Sequence, residues 1–534
     1  FLVNGEPAPV TAYTAGNFYL RRLPGGELGP LGSSTFVTYD VNLVAGVYDV
    51  VFQATATGGL EIPWNPVYTV VANRKLVPNS TFDIDLPSAR IHGSILVAGS
   101  PAPLSVYDSG SILLRLEGTD EPFVIGATQF GSYQAAVAPG RYDILYRVFQ
   151  SSERAPANKE VVVRTGVSIG ASGRLDVDVP AVTVTPTLTV NGAAIPASPY
   201  VFAKLSVRPT MGGGEATLIY GSQFGSQPVR LVPGRYDVIY DGVASTTLPA
   251  NTRAVIARDV MIGGGALAFD VDSVRVQGAF RSGADAFPAS AYARANIVFT
   301  DAELGEVRAG RTDFGSYDTA LIAGTYDIFY RVDGAAGVVP INTNTRIVNR
   351  RAFTSSQTFN VNIGRVGFSG DFLLNGAPFP MSAYEVADLV LRRVDNGSDQ
   401  LLGRSNFGDF DVRVIPGRYH VRYRFRSGGD QIPTNSDVRV TPDFDITADT
   451  ELDVNVRSIQ LGGGFTLNGN GFGRVSPDND AEFAAIETES GSRIPLGRGQ
   501  LGGFATQLVE GDYELRYRHL GGDLAPQNAD ARLG

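Results

Sequence analysis

The sequence contains no cysteine, three histidines and one tryptophan. The absence of cysteine excludes disulfides, thiolate nucleophiles, zinc–thiolate sites and iron–sulfur clusters held by the chain. The histidines, His92, His420 and His519, share no common spacing, and nucleophilic catalysis most often needs a histidine base. No run of about 20 apolar residues is present that could cross a bilayer. We therefore expect no catalytic site, no cofactor and no direct membrane span.

Positive charge is also in short supply, because 44 Lys and Arg stand against 54 Asp and Glu, a net charge of −10. This balance opposes binding to phosphate backbones, which needs clustered positive charge, so nucleic acid is not an expected partner. Hydrophobic residues make up 43% of the 534 residues and aromatic residues 10%, which argues against intrinsic disorder. The chain is long enough for several packed domains.

Two short motifs recur along the chain with nearly the same period. A Gly-x-Tyr tripeptide returns every 90 to 94 residues, and a Pro-x-Asn tripeptide returns every 91 to 93 residues. The tyrosines are Tyr48, Tyr142, Tyr236, Tyr326, Tyr419 and Tyr513, and the glycines are Gly46, Gly140, Gly234, Gly324, Gly417 and Gly511. The asparagines are Asn65, Asn158, Asn251, Asn342, Asn435 and Asn528. Because the two motifs keep step, the sequence predicts six copies of one module.

The predicted modules are about 93 residues long, close to an immunoglobulin-like sandwich and too long for a common solenoid repeat. They are residues 1–88, 89–181, 182–272, 273–364, 365–457 and 458–534, the first cut short at its N-terminal side and the sixth at its C-terminal side. In module 2, seven runs rich in β-branched and aromatic residues predict strands at about 91–97, 111–116, 123–127, 132–137, 141–148, 160–169 and 174–179. Helical periodicity is absent, and no flexible spacer separates the copies. The predicted fold is all-β, with six tandem seven-strand sandwiches that abut as a rod.

The Gly-x-Tyr tripeptide is predicted to open a strand that faces the core. Alternate residues such as Tyr142, Ile144 and Tyr146 share one strand face. A buried tyrosine hydroxyl needs a partner, which a corner turn offers through its carbonyls. The glycine is expected to take a positive φ in a tight turn. We interpret these glycines, tyrosines and the Pro-x-Asn asparagines as structural residues.

Three other repeated features leave alternatives open. The asparagine of Pro-x-Asn either closes its own loop or faces a partner at regular intervals, and loop closure is favoured. Phe-Gly pairs recur at Phe130, Phe224, Phe314 and Phe407 and are predicted to turn a strand and fill a core rather than stack on a sugar. Two modules depart from the pair: Phe36 precedes Val37 in module 1, and Leu501 takes the place of the phenylalanine in module 6. Acidic pairs such as Asp176 and Asp178 either bind Ca²⁺ or form a solvated strand face. The solvated face is favoured, because Asn455 replaces the second acid in module 5, and no metal site is assigned.

Several stretches resemble the carboxypeptidase-regulatory-like or prealbumin-like (Ig-like) β-sandwich that bacterial surface proteins use in tandem. They are Ile-x-Gly at 91–93, Asn-Gly-x-x-x-Pro at 191–196, Leu-Val-Pro-Gly-Arg-Tyr at 231–236 and Leu-Asp-Val-Asp-Val at 175–179. The resemblance implies a seven-strand sandwich that acts as stalk, spacer or binding module. Some such modules carry a Lys–Asn crosslink, but Lys75, Lys159 and Lys204 follow no matching period, which excludes one in each copy.

These observations predict a non-catalytic structural protein of an extracellular or cell-surface bacterial fibre, stalk or sheath that assembles with itself as a homopolymer or bundle. The alternative is a repeat adhesin for glycan, Ca²⁺ or protein ligands, with a surface glycan or another appendage protein as partner. A structural rod predicts the same exposed surface in every copy, whereas an adhesin predicts one divergent copy, with residues 301–311 or 478–480 as candidates. The incomplete end modules either exchange strands between chains or belong to a longer chain, and the longer chain is favoured.

Overall fold

The computed structural model describes most of the chain. The described residues are 1–8, 15–36, 38–56, 59–77, 79–102, 105–151, 154–196, 198–243, 247–335, 337–380, 382–428, 431–471, 480–522 and 525–534. They fall into two compact units. The first comprises Phe1–Asp241, Val255–Val271 and Pro526–Ala531, and the second comprises Gly242–Ala254, Asp272–Ala525 and Arg532–Gly534. The Pro-x-Asn loop of module 3 therefore groups with the second unit, and that of module 6 groups with the first.

Module 2 shows the repeating architecture. One sheet is antiparallel, with its strands in the order Phe123–Ala127, Ser109–Leu116, Gly140–Gln150 and Val161–Ile169. The other sheet centres on Ala89–Val97, which pairs antiparallel with Ser132–Val137 and Ser100–Pro101 and parallel with Gly173–Arg174 and Val177–Val179. The predicted all-β fold of tandem sandwich modules is confirmed, although the last predicted strand is broken into two short ones.

The rest of the first unit follows the same plan. Module 1 has a sheet in the order Leu28–Ser33, Gly16–Arg22, Gly46–Ala54 and Tyr68–Leu76, and a smaller sheet in the order Glu6–Pro7, Leu2–Val3 and Asp85–Leu86. Module 3 has a sheet in the order Thr217–Gly221, Ala203–Pro209, Gly234–Gly242 and Ala254–Ile262, and a second in which Val182–Val190 pairs with Ala193–Ala194, Val229–Leu231 and Gly265–Val271. Single 3-10 turns lie at Ser34–Phe36 and Thr128–Phe130.

The second unit repeats the arrangement. Module 4 has Gly305–Arg311, Arg294–Asp301, Gly324–Gly334 and Thr345–Phe353 in one sheet, and Ser273–Ser282 with Asp285–Ala286, Ser316–Ile322, Gln357–Thr358 and Val361–Asn362 in the other. Module 5 has Asp399–Arg404, Val386–Arg393, Gly417–Ser427, Val438–Arg439 and Phe444–Ile446, and Val366–Leu374 with Ala377–Pro378, Asp409–Val414, Thr450–Glu451 and Val454–Val456. In module 6, Asp480–Glu487 lies between Arg493–Arg498 and Tyr513–Gly521, Ser458–Gly464 pairs with Gly503–Val509, and Thr466–Leu467 pairs with Asn470–Gly471. A short strand lies at Ala531–Arg532, and 3-10 turns lie at Thr312–Phe314, Ser405–Phe407 and Gly499–Leu501.

The hydrophobic cores follow the modules and centre on the tyrosine strands. Tyr142, Ile144 and Tyr146 are fully buried, as period two predicts. The core clusters of modules 2, 4 and 5 each draw mainly on one module but also take a residue from the next, such as Val232 in the cluster of module 2. Val509 does the same in the cluster of module 5. Burial therefore continues across the junctions between modules. No helix in the described part of the chain is long and apolar enough to cross a membrane.

The glycine of Gly-x-Tyr does not have the predicted role. None of the six glycines, all of which are described, has a positive φ. Four of them instead leave room for a side chain from the neighbouring strand or its turn, namely Gly46, Gly140, Gly324 and Gly417. A Cβ on Gly140 would lie 2.6 Å from Leu116 Cδ1, and one on Gly324 would lie 2.2 Å from Leu304 Cδ1. The prediction of a positive φ at these glycines is therefore wrong.

Candidate functional site

In modules 1 to 5, the asparagine of the Pro-x-Asn loop binds the module that follows it. Asn158, at the end of module 2, is fully buried. Its Nδ2 donates to the hydroxyl of Tyr236 at 3.0 Å, and its Oδ1 accepts the backbone N–H of Val232 at 2.8 Å. The Tyr236 hydroxyl donates in turn to the Val232 carbonyl at 2.6 Å. The backbone N–H of Ala157 donates to the carbonyl of Arg230 at 2.8 Å. Three hydrogen bonds thus join the loop of module 2 to the corner of module 3, and the fourth closes the corner itself.

The same four bonds recur wherever a Pro-x-Asn loop meets a Gly-x-Tyr corner; we name this arrangement the Asn–Tyr junction. Nδ2 lies 2.8 to 3.0 Å from the hydroxyl in the pairs Asn65–Tyr142, Asn158–Tyr236, Asn251–Tyr326, Asn342–Tyr419, Asn435–Tyr513 and Asn528–Tyr48. Oδ1 lies 2.7 to 2.9 Å from the backbone nitrogens of Ala138, Val232, Ile322, Ile415, Val509 and Val44. Each asparagine is at most 5% exposed. The repeated motifs are therefore two halves of one buried contact.

The sixth Asn–Tyr junction lies within the first compact unit. Asn528 Nδ2 donates to the Tyr48 hydroxyl at 2.9 Å, and Asn528 Oδ1 accepts the Val44 N–H at 2.9 Å. The N–H of Gln527 donates to the Asn42 carbonyl at 2.6 Å. The corner of module 1 thus receives a Pro-x-Asn loop in the same way as the other corners.

The favoured prediction for the asparagines, closure of their own loops, is wrong. Both atoms of the Asn65 amide bind module 2, with Tyr142 lying 77 residues further on. In a tandem repeat, the spacing from an asparagine to its own tyrosine is as constant as the spacing to the next one. Periodicity alone could not choose between them. The decisive observation is burial, because a side-chain amide at zero exposure needs a partner for each of its polar atoms.

A second tyrosine on the same strand holds the loop from its own side. The Tyr146 hydroxyl donates to the carbonyl of Pro156 at 2.9 Å, Tyr330 to Pro340 at 2.9 Å, and Tyr423 to Pro433 at 2.6 Å. In Gly-x-Tyr-x-x-x-Tyr, the first tyrosine therefore binds the loop of the preceding module, whereas the second binds the loop of its own module. One strand anchors two successive loops.

Burial keeps the junction hydroxyls neutral. It raises the pKa of Tyr236 from its usual 10.0 to about 12, although the hydrogen bond from Asn158 opposes this shift. Burial likewise raises the pKa of Tyr142 and Tyr326. A neutral hydroxyl donates one hydrogen bond and accepts another, and the junction uses both capacities.

The Phe-Gly pairs form the predicted turn but not the predicted core. Phe130, Phe314 and Phe407 each end a single 3-10 turn followed by a left-handed glycine, such as Gly131 with a φ of 68°, whereas Phe224 lies in an ordinary turn before left-handed Gly225. The phenylalanine side chains are nevertheless 62 to 70% exposed in modules 2 to 5, and Leu501 is 74% exposed. The side chain of Phe36 lies outside the described residues. The core-filling prediction is wrong, because the 3-10 turn directs the ring away from the sandwich.

A repeated exposed tyrosine lies at the same end of each of these modules. Tyr107, Tyr200, Tyr292 and Tyr384 are 69 to 84% exposed. Each tyrosine N–H donates to the hydroxyl of the serine two residues before it, which holds the turn. In module 2, the N–H of Gly110 donates to buried Thr128 Oγ1 at 3.0 Å, which places the segment after Tyr107 beside the turn that carries Phe130. We name each tyrosine with its phenylalanine an aromatic pair. The sequence signal for these exposed tyrosines is the Ser-x-Tyr tripeptide, which precedes a strand. Its tyrosine therefore lies outside the alternation of buried and exposed residues along that strand.

The acidic pairs of the last strand bind backbone groups of the first strand and its turn. Exposed Asp176 accepts the N–H of Ser94 at 2.8 Å, and exposed Asp178 accepts that of Gly99 at 3.0 Å. Asn455 accepts the N–H of Gly376 at 2.9 Å in the same manner. An amide oxygen accepts as a carboxylate does, which explains why asparagine can replace the acid. Within the described residues, no group of three or more acidic or histidine side chains is arranged to hold a metal ion.

The remaining candidate residues are scattered over the fold. His420 lies on a buried strand with Nδ1 3.2 Å from Asp443, and burial together with Arg439 lowers its pKa. His92 is exposed on a first strand. Trp64 packs against the core of module 2, and its Nε1 donates to Gly59. Residues 301–311 form a hairpin turn with flanking strand, and residues 478 and 479 lie outside the described residues.

Comparisons with known proteins give distant likenesses. No family model and no curated protein matches the chain. The Bacillus anthracis TIE protein is similar over 65% of this chain and 68% of its own, at 13% identity and a TM-score of 0.15. A streptococcal ancillary pilin is similar over 52% and 98%, at 10% identity and a TM-score of 0.19. Two B repeat units of the Staphylococcus aureus collagen-binding protein are similar over 64% and 94%, at 10% identity and a TM-score of 0.14. Likenesses at such TM-scores carry no argument about function.

Proposed function

We propose that the chain is a non-catalytic structural protein of an extracellular or cell-surface bacterial fibre, stalk or sheath. The observation that carries this proposal is the Asn–Tyr junction, which recurs with the same donors and acceptors at all six loops. Ordinary tandem domains are joined by exposed, polar linkers that let them move. Here each of the five loops between modules is buried against the next module, which suits a load-bearing chain of modules.

The chemistry of the junction explains why it resists separation. Pulling the loop of module 2 away from module 3 leaves the Val232 N–H and the Asn158 amide without partners until water enters. Buried polar groups without partners are costly, at about 1–3 kcal/mol each. The second tyrosine, Tyr146, anchors the same loop in its own module through Pro156. Force applied along the chain therefore meets a hydrogen-bonded contact at every module boundary.

Electron microscopy of the intact chain tests this proposal. Wild-type protein is expected to form regular fibres or sheaths whose axial repeat corresponds to the modules. The Asn158→Ala and Asn342→Ala variants are expected to give irregular or fragmented assemblies, because each loses one Asn–Tyr junction. Gln134→Ala is the matched control, since this exposed amide side chain makes no junction contact. Monodisperse wild-type protein under all conditions, without assembly, would contradict the proposal.

A second candidate function, a repeat adhesin, is favoured by one observation, the aromatic pairs. Glycan-binding surfaces commonly use exposed aromatic faces, and modules 2 to 5 each present a tyrosine and a phenylalanine that are more than 60% exposed. A glycan array probed with wild-type protein and with the double variant Tyr200→Ser, Phe224→Ser tests this function. Leu218→Ser is the control, because Leu218 is an exposed apolar residue of the same module. Specific glycan binding lost only in the double variant supports the adhesin, and no binding in the wild type excludes glycan as the ligand of these pairs.

A further inference from the structure

The first strand of three modules turns back through the dipeptide Asn-Gly. In module 5, Asn375 and Gly376 form the two-residue loop between the strands Val366–Leu374 and Ala377–Pro378. Asn375 has a φ of 53° and Gly376 a φ of 81°, the two positive angles of a type I′ turn. The same conformation occurs at Asn191 with Gly192 in module 3 and at Asn4 with Gly5 in module 1. We name these three loops the Asn-Gly turns.

Asn-Gly is also the dipeptide that deamidates most readily in proteins. The backbone nitrogen of the glycine attacks Cγ of the asparagine and forms a new C–N bond. The Cγ–Nδ2 bond breaks, and the proton of the attacking N–H leaves with Nδ2 as ammonia. Water then opens the resulting succinimide at either carbonyl, which leaves aspartate or isoaspartate. Asn375 and Asn191 are both exposed, so water reaches them.

The attacking nitrogen is held by a hydrogen bond in every Asn-Gly turn. The Gly376 N–H donates to Asn455 Oδ1, on the last strand of module 5, at 2.9 Å. The same bond joins Gly192 to Asp270 and Gly5 to Asp85, each at 2.9 Å. The nitrogen can attack only after it has turned away from this acceptor and given up its proton. The bond therefore opposes the first step of deamidation.

The side-chain amide that would be attacked is held as well. Asn375 Oδ1 accepts the N–H of Ser458 at 2.8 Å, and Asn375 Nδ2 donates to Ser458 Oγ at 2.9 Å. In module 1, the amide of Asn4 makes two bonds with the backbone of Ser88, at 2.9 and 3.0 Å. These bonds fix the direction of the amide, which has to rotate before Cγ can meet the glycine nitrogen. At Asn375, three hydrogen bonds thus have to open before the ring can close.

Modules 2 and 4 have the same turn without the reactive amide. In module 2, Ala98 precedes Gly99, whose N–H donates to Asp178 at 3.0 Å. In module 4, Ser282 precedes Gly283, whose N–H donates to the last strand at 2.8 Å. The acceptor on the last strand is therefore part of the general fold. It has a chemical consequence only where the turn carries asparagine.

Deamidation at Asn375 would act on the boundary between modules 5 and 6. Ser458 is the first residue of the strand Ser458–Gly464, which begins module 6. Conversion to aspartate removes the Nδ2 donor to Ser458. Isoaspartate in addition lengthens the backbone of the tight turn by a methylene group. Either product therefore weakens the contact between the turn of module 5 and the start of module 6.

We propose that the Asn-Gly turns are protected deamidation sites, at which aspartate or isoaspartate forms only where the turn has opened. The rate of modification then follows the population of opened turns and not the exposure of the asparagine. Asn455 and Asp270 are positioning residues, because they hold the glycine nitrogen away from the amide. This inference is independent of the proposed function, since it concerns each turn whether or not the chain assembles.

Peptide mapping by mass spectrometry measures the reaction in the intact 534-residue protein at mildly alkaline pH. The reference is a synthetic peptide of residues 371–380, which has the same local sequence without the tertiary bonds. Asn375 is expected to deamidate at least about tenfold more slowly in the folded chain, because each of the three hydrogen bonds opposes the reaction by about two- to tenfold. Equal rates in the protein and the peptide would overturn the proposal.

Substitutions of the acceptor separate its role from general stability. Asn455→Ala should speed deamidation at Asn375 by about two- to tenfold, because it frees the Gly376 N–H. Asn455→Asp keeps an acceptor oxygen and should keep the slow rate, as Asp270 does in module 3.

The matched control is Asp453→Ala. It removes a comparable bond, from the Asp371 N–H at 3.0 Å, two residues before Asn455, and should leave the rate at Asn375 unchanged. Asn396, which precedes Gly397 in the same module, is the internal reference, and its rate should not change in any variant. An unchanged or slower rate at Asn375 in Asn455→Ala, or an equal gain in Asp453→Ala, would refute the protecting role of the acceptor.

Discussion

Removal of one junction amide gives the most informative perturbation. Asn158→Ala removes the acceptor of the Val232 N–H and the donor to the Tyr236 hydroxyl. The hydroxyl keeps its own acceptor, because it still donates to the Val232 carbonyl. The main cost is one buried N–H without a partner, about 1–3 kcal/mol, and the lost amide–hydroxyl bond adds about 1 kcal/mol. We expect the corner of module 3 to be destabilised by about 2–4 kcal/mol.

Native-state amide exchange measures this loss in the full chain. A multi-module protein does not unfold in one step, so a global unfolding free energy would mix six modules. Hydrogen exchange of the backbone amides in the strand Gly234–Gly242 reports the local opening of module 3 instead. A loss of about 2–4 kcal/mol corresponds to exchange about 30- to 1000-fold faster, since about 1.4 kcal/mol is a factor of ten. Gln134→Ala is expected to leave these rates unchanged.

A double-mutant cycle with Tyr236→Phe isolates the side-chain pair. Tyr236→Phe removes the hydroxyl that accepts from Asn158 and donates to Val232. Because the two residues share one bond, their combined loss should be smaller than the sum of the single losses by about 1 kcal/mol. Wild-type exchange rates in Asn158→Ala, or fully additive losses, would refute the account of the Asn–Tyr junction.

Four further outcomes follow from the fold. Tyr236→Ala should destabilise module 3 by about 3–5 kcal/mol in calorimetry, because the ring is 1% exposed. Gly93→Ala should destabilise module 2 by about 1–3 kcal/mol, because the added Cβ would lie 2.0 Å from the Leu175 carbonyl oxygen. The control Gly173→Ala places its Cβ in open space and should change the stability of module 2 by no more than about 0.5 kcal/mol. Phe224→Ser should leave thermal stability unchanged, because its ring is 70% exposed, and a large loss would contradict the exposed placement. The pKa of Tyr236 is raised to about 12, so its neutral hydroxyl stabilises the fold fully below pH 10 and this contribution is lost between about pH 10 and 12. The ultraviolet absorbance of ionised tyrosine and the circular dichroism should therefore change together in this pH range. Both changes should be smaller in Tyr236→Phe.

The strands could be predicted from sequence because alternation and turn residues are local signals. The run predicted at 132–137 matches the strand Ser132–Val137, and the buried tyrosine face follows from period two. The break in the last strand at residues 175–176 could not be predicted. It arises where the Tyr133 hydroxyl binds the Leu175 carbonyl at 2.6 Å, a contact between residues 42 positions apart.

The errors concern residues whose surroundings lie in another part of the chain. The sequence favours closure of the Asn158 loop on itself because asparagine amides commonly bond local backbone, whereas this amide binds Tyr236 and Val232 of the next module. Phe130 was placed in a core because phenylalanine is usually buried, whereas the 3-10 turn directs it to solvent. The glycine of Gly-x-Tyr was assigned a positive φ, but it is small so that Leu116 can pass beside Gly140. In each case a tertiary contact overrides the usual preference of the residue.

The central claim is that a buried Asn–Tyr junction fixes the Pro-x-Asn loop of each of modules 1 to 5 on the following module. Exchange of the individual backbone amides of Ala157 and Val232 in the wild-type chain measures it most directly, because each of these amides donates a junction hydrogen bond. The account predicts that they exchange as slowly as the amides of the neighbouring Gly234–Gly242 strand. Exchange at the rate of exposed loop amides would contradict it.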